Sequence, residues 1–412
     1  MNVNIIIPRD VEKALNILNE NGFKAYIVGG CVRDSLLDVA PNDWDITTSA
    51  KPDEIRDCFK CFKTIDTGIK HGTITVIING THLEVTTFRI DGSYSDNRRP
   101  DSVFFTNEVS GDLERRDFTI NSLAYNNKGI VDLFGGISDI HNKVIRCVGE
   151  PDERFNEDGL RILRAMRFSS VLDFKIDEKT SISIIKNKQL LKNISKERIS
   201  AEFSKLVKGK NYFKVMMEYK EVIEEFISEI KSLGNAEWEN ILISMAYTDD
   251  LVLKLCLLLN ETNNAESILK NLKYDGTTIR DVKLIVSYKN EKILDNKINI
   301  KMQLKILGYE YYVILLKFKH ALLQSQSIKC EQELKLIESA QIILNQIIMN
   351  NECYNLKMLE VNGEDLIREG FSKGIYLGSI LNELLDLVIE EKLENKKEIL
   401  IGYVKKYKKD IK

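Results

Sequence analysis

The sequence predicts a mixed α/β head at the N-terminus followed by an all-helical remainder. Two observations carry this expectation. Short apolar runs of strand type alternate with helix-type periodicity over the first third of the chain. Proline then ends at Pro151, glycine becomes sparse until the last quarter, and helical spacing dominates. A third observation is length: 412 residues exceed one ordinary core and suggest two to four units.

The elements follow in order. Val11, Ala14, Leu15 and Leu18 recur at helical spacing, and Gly22 supplies a stop. Ala25–Val28 is a short apolar strand ending in Gly29-Gly30, and Val32–Leu37 starts a second helix. Trp44–Thr48 reads as a strand and Pro52–Phe59 as a helix with proline in its first turn. Thr73–Ile78 and His82–Phe88 form a hairpin through Asn79-Gly80, whose residues tolerate the positive φ angles of a tight turn. The head is expected to end between residues 136 and 150. Beyond it, Leu160, Leu163 and Met166, and later Leu251–Leu259, keep helical periodicity. No repeat of fixed period is evident, and the lysine-rich end, Lys405–Lys412, is expected to fray.

Composition narrows the function. With 43% hydrophobic and 29% charged residues the chain reads as globular, and a net charge of -3 excludes a general basic coat. Any nucleic-acid surface must come from local clusters, such as Lys205, Lys208 and Lys210 or Lys405–Lys409. No signal-peptide pattern and no apolar stretch of spanning length is present, so no membrane partner is expected. Seven scattered cysteines fit a reducing, cytoplasmic setting. Cys58 and Cys61 form a lone Cys-x-x-Cys without the second pair a zinc site needs, and read as unrelated residues.

The chemistry centres on Asp43-Trp44-Asp45. On a strand, residues i and i+2 face the same way, so two carboxylates would project together and repel unless a cation joins them. Asp-x-Asp alone is common in solvated turns; its surroundings change the reading. Gly29-Gly30-Cys31-Val32-Arg33-Asp34 follows a strand and opens a helix, where backbone amides and Arg33 favour phosphate. Glu84, on a strand whose Leu83 and Val85 face the core, is a third candidate ligand. Carboxylates beside a phosphate cradle are what two-metal nucleotidyl transfer requires: one ion activates a 3′-hydroxyl, the other steadies the leaving pyrophosphate.

Those runs resemble the signature of the polymerase-β-like nucleotidyltransferases. With Thr67-Gly68, His71-Gly72-Thr73, Glu84–Arg89, Arg115–Asn121, Glu157–Arg161, Glu197–Ile199 and Val361–Val388, most of the chain resembles the bacterial and eukaryotic (class II) tRNA nucleotidyltransferases. The resemblance is weakest from Asn211 to Asn350. It implies a nucleotidyltransferase head over residues 1–138, a helical neck over 139–206, a body over 207–345 and a tail over 346–412. It implies two Mg²⁺ ions on Asp43, Asp45 and Glu84, and CTP and ATP as substrates. Gly29, Gly30, Arg33 and Arg115 or Arg116 would hold the triphosphate. Asp117 and Asn121, expected four apart on one helical face, would take the ribose.

The resemblance also implies that Asp158 and Arg161 read the base, with Arg164 and Arg167 on the same helix assisting. The chemistry agrees: cytosine and adenine both present an amino donor beside a ring-nitrogen acceptor, whereas guanine and uracil present a carbonyl to the carboxylate. A loop containing Arg89, Asp91, Tyr94 and Arg98 resembles one the family needs to change from CTP to ATP. The expected partner is tRNA, bound at its acceptor end and stacked arm, without a nucleic-acid template, by a monomer or homodimer. The rival readings are the A-adding half of a split system, a poly(A) polymerase, and an idle RNA-binding protein.

Overall fold

The computed structural model describes residues 5–92, 94, 100–326 and 330–410. The chain divides into two compact units, residues 1–233 with 270–274 and residues 234–269 with 275–412.

The first unit is built on a seven-stranded sheet. Its strands are β1 (Ala25–Val28), β2 (Asp45–Thr48), β3 (Lys63–Gly68), β4 (Thr73–Ile78) and β5 (Thr81–Thr87). Two short strands, β6 (Arg89–Asp91) and β7 (Val103–Phe105), pair only with each other; β8 (Leu123–Asn126) and β9 (Gly129–Asp132) complete the sheet. The order is β3-β4-β5-β2-β1-β8-β9, with β2 at the centre. The β2–β5 pair is parallel, the other pairings in this sheet antiparallel, so the sheet is mixed. The Asn79-Gly80 turn holds φ of 49° and 87°, the left-handed values a two-residue hairpin loop needs.

Five helices accompany the sheet: α1 (Arg9–Glu20), α2 (Gly30–Leu36), α3 (Pro52–Cys58), α4 (Val109–Glu114) and α5 (Gly136–His141). Val11, Ala14, Leu15 and Leu18 all lie buried on α1, as their spacing predicts. The helical part of this unit continues with α6 (Pro151–Glu157), α7 (Leu160–Leu172), α8 (Glu178–Asn187) and α9 (Lys196–Val207).

The expectation of an all-helical chain after the head needs one correction. Strands β10 (Val144–Ile145) and β11 (Lys175–Ile176) form a parallel pair there. Two-residue strands are too short to leave a period of their own.

The chain leaves the first unit after Leu233 and returns for Lys270–Tyr274. In that return, Leu272 is buried, and the Tyr274 hydroxyl lies 2.9 Å from that of Ser204 on α9.

The second unit is helical. It includes Asn235–Ser244, Leu251–Leu259, Gly276–Ser287, Lys297–Leu307, Tyr309–Gln324 and Glu331–Met349, with Trp238, Tyr312 and Phe318 fully buried. Near its end, Gly363–Arg368, Ile375–Ile389 and Lys397–Asp410 enclose Leu366, Leu384, Ile389 and Leu400. No helix among the described residues is long and apolar enough to cross a membrane.

Candidate active site

The site begins where β1 ends. Gly29 takes φ 80° and ψ −127°, a conformation only glycine adopts easily, and turns the chain into α2. A Cβ on Gly29 would lie 2.9 Å from Nη1 of Arg116, so that guanidinium lies directly over the turn. Arg33, nearly buried, donates to Asp34 Oδ1 (2.8 and 2.7 Å) and to Asn121 Oδ1 (2.5 Å). Gly30 approaches the same side chain: its Cβ would lie 3.7 Å from Arg33 Nη2.

Asp45 opens β2, next to Glu84 of β5 in the parallel register. Both side chains are exposed, while Ile46 and Val85 are fully buried. Asp43 precedes the strand rather than lying within it, also exposed. Partial desolvation by the atoms around it pushes the Asp45 carboxyl above its usual range; Arg116 opposes this, and Glu84 and Asp43 add to it. A carboxylate crowded by two others is the donor set a hard divalent cation satisfies. Among the described residues no three such side chains converge on one point.

The segment after α4 departs from the expected helix. Arg115 caps α4, Phe118 is extended, and Thr119–Asn121 form a single 3-10 turn. Asp117 prevents helix continuation: its Oδ1 accepts the N–H of Phe118 at 2.8 Å, and Phe118 pairs with Cys147. Asp117 and Asn121 meet nevertheless, with Nδ2 of Asn121 donating to Oδ1 at 3.1 Å. Arg164 donates to the other oxygen at 2.8 Å. Burial disfavours the charged carboxylate of Asp117, but Arg164 and Asn121 outweigh it and hold its pKa well below the ordinary value.

Asp158 also lies outside the helix predicted for it. It sits between α6 and α7 with φ −142°, and its Oδ1 accepts the N–H of Leu160, the first residue of α7, at 3.0 Å. Its ion pair is with Arg198, at 2.7 Å. Arg161 pairs instead with Glu157 (2.6 Å) and donates to the carbonyl of Arg115 (2.9 Å), joining α7 to the segment after α4. Arg167 is held by Glu202 at 2.6 Å. Arg33, Arg164 and Arg167 all lie over the Phe168 ring, at 5.0, 5.4 and 3.7 Å.

The predicted loop residues are divided. Arg89 donates to the carbonyl of His71 (2.6 Å) and pairs with Asp91 (3.0 Å), while the Tyr94 hydroxyl donates to Asp91 (2.8 Å). Arg98 lies outside the described residues.

Sequence reading missed four residues that hold these groups: Asp112, Arg198, Glu202 and Phe168. Arg198 stood in a quoted motif, and Asp112 lies three and four residues before the arginine pair, a helical spacing that signals ion pairs. Glu202 and Phe168 carried no local signal. Of the candidate tRNA lysines, Lys205, Lys208 and Lys210 are exposed, and Lys405 pairs with Glu369 at 2.9 Å.

Known proteins match this chain along its length. Residues 25–146 match the family model described as "Poly A polymerase head domain", residues 173–230 one described as "Probable RNA and SrmB-binding site of polymerase A", and residues 245–404 one for tRNA nucleotidyltransferase domain 2. The CCA-adding enzyme of Ligilactobacillus salivarius is 38% identical, over 97% of each chain. The Bacillus stearothermophilus CCA-adding enzyme, solved in complex with CTP, superposes with a TM-score of 0.79 at 29% identity, covering 98% of this chain and 99% of that one. The Thermotoga maritima CCA-adding enzyme, solved with tRNA, shares the fold with a TM-score of 0.66 at 22% identity, covering 98% and 97%.

Proposed function

This chain belongs to the CCA-adding enzymes, and from that premise we propose that it adds C, C and A to the 3′ end of tRNA, taking CTP and ATP and releasing pyrophosphate. The observation that carries the reading is the central pair of strands. Their register sets Asp45 beside Glu84, next to a glycine turn covered by Arg116.

Each residue has a task that its surroundings suit. Gly29 lets the Arg116 guanidinium lie close against the turn, where its outer face would meet a phosphate, and Arg33 adds positive charge within α2. Asp43, Asp45 and Glu84 are the residues that would hold Mg²⁺. Two such ions, when bound, supply the charge that lowers the pKa of the attacking hydroxyl and neutralises the leaving pyrophosphate. Asp117 and Asn121, already hydrogen-bonded to each other, offer a carboxylate and an amide for ribose hydroxyls.

Asp158 accepts from the amino group of cytosine or adenine, and Arg161 donates to the adjacent ring nitrogen. A carbonyl facing Asp158 would leave a buried mismatch of about 1–3 kcal/mol or more, enough to reject guanine and uracil. Arg198 holds the Asp158 side chain and Glu157 holds that of Arg161, so each group is fixed by a charged partner. The three exposed lysines, 205, 208 and 210, suit phosphate contacts to tRNA.

The test offers purified protein, with Mg²⁺, tRNAs ending at the discriminator base, at C and at CC. CTP and ATP are supplied separately and together, and products are sized at single-nucleotide resolution. Three additions that then stop are expected. A lone A added only to the CC-ended tRNA would replace this reading with a split system, and an open-ended A ladder with a poly(A) polymerase.

A further inference from the structure

Asp112 belongs to none of the predicted motifs, yet its side chain has no solvent exposure. Its Oδ1 accepts two hydrogen bonds from Arg115, from Nε at 3.1 Å and Nη2 at 2.6 Å. Its Oδ2 accepts from Nη2 of Arg116 at 3.0 Å and from the hydroxyl of Thr47 on β2 at 3.3 Å. Burial alone disfavours this carboxylate, but Arg116 and Arg115 hold it ionised, below the usual range.

A buried charge is expensive and could be replaced by an apolar side chain if packing were all that mattered. What Asp112 does that an apolar residue could not is neutralise two consecutive guanidinium groups that would otherwise repel, holding one on each oxygen. They diverge from it. Arg116 lies over Gly29 and acts electrostatically on Asp45. Arg115 points to Asp91, 3.9 Å away, which also receives Arg89 and the Tyr94 hydroxyl.

We propose that Asp112 is a positioning residue that gives the two arginines different tasks. Arg116 serves the triphosphate over the glycine turn. Arg115 serves Asp91 in the segment that also carries Arg89 and Tyr94, so that the arrangement of these three side chains and the phosphate grip are tied through one buried carboxylate. This rests on the CCA-adding reading, in which that segment governs the change to ATP.

The experiment measures kcat and KM for C addition to tRNA ending at the discriminator base and for A addition to CC-ended tRNA. Arg116→Gln is expected to raise KM for CTP and ATP alike, about tenfold, the worth of one charge-assisted contact. Arg115→Gln is expected to lower the ratio of kcat/KM for A addition to that for C addition, again about tenfold. Asp112→Asn should show both defects, and adding Arg115→Gln to it should lower the ratio no further. Identical profiles for the two arginine variants would overturn the division of tasks, and they decide it even where Asp112→Asn loses its native circular dichroism. A folded Asp112→Asn enzyme with wild-type kinetics would overturn the positioning role. Wild-type protein that extends no tRNA would instead remove the CCA-adding reading on which both rest.

Discussion

Asp117 takes hydrogen bonds from Phe118, Asn121 and Arg164 while almost shut off from water. Its pKa is depressed in the folded state, so its contribution to stability is fully present above the ordinary carboxylate value of about 4 and is lost as pH falls through the depressed value. Asp117→Asn leaves Arg164 without its closest counter-charge and is expected to cost about 3–5 kcal/mol at neutral pH. Urea unfolding of wild type and variant at pH 7 and near pH 3 checks this: the gap should narrow in acid. A gap independent of pH would mean that shape, not charge, holds the segment. The same environment explains what was legible here. The types and order of Arg115, Arg116, Asp117 and Asn121 could be read from the sequence. Their partners could not, because Arg164 is 47 residues away from Asp117.

At the scale of elements, two glycine turns make a comparison. Gly29 and Gly80 both have positive φ, 80° and 87°. A Cβ at Gly80 meets nothing within 4 Å, whereas at Gly29 it meets Arg116. Gly80→Ala is therefore expected to cost about 1 kcal/mol of strain and leave nucleotide KM unchanged. Gly29→Ala should cost similar or greater strain, about 1–3 kcal/mol, and also raise KM for both nucleotides by displacing the guanidinium. Thermal melts alongside steady-state kinetics separate the two; equal KM for both variants would remove the phosphate role from this turn. These turns and the strands and helices beside them were legible because they rest on local rules. Strands β3, β6, β7, β8 and β9 were not predicted. The three-residue strands leave no alternation to count, and β8 is buried throughout, which erases the polar half of the pattern.

For the whole molecule, the first unit depends on residues far along the chain. Leu272 is buried, and Tyr274, whose hydroxyl pKa is pushed up to about 12 by burial, reaches Ser204 on the helix that also carries Glu202. Leu272→Ala is expected to destabilise the first unit by about 2–5 kcal/mol. Denaturation followed by the fluorescence of Trp44 in a Trp238→Phe background reports that unit, and an unshifted transition would show that the returning segment only rests on it. This out-and-back course also constrains how such a protein can be recombined. A single genetic crossover between Gly234 and Leu269 would give a chimera whose first unit carries its last piece, Lys270–Tyr274, from the other parent. Exchange of intact units therefore needs three junctions, after Leu233, Leu269 and Tyr274, so lineages that shuffle these enzymes should inherit the five-residue return together with the first unit it completes.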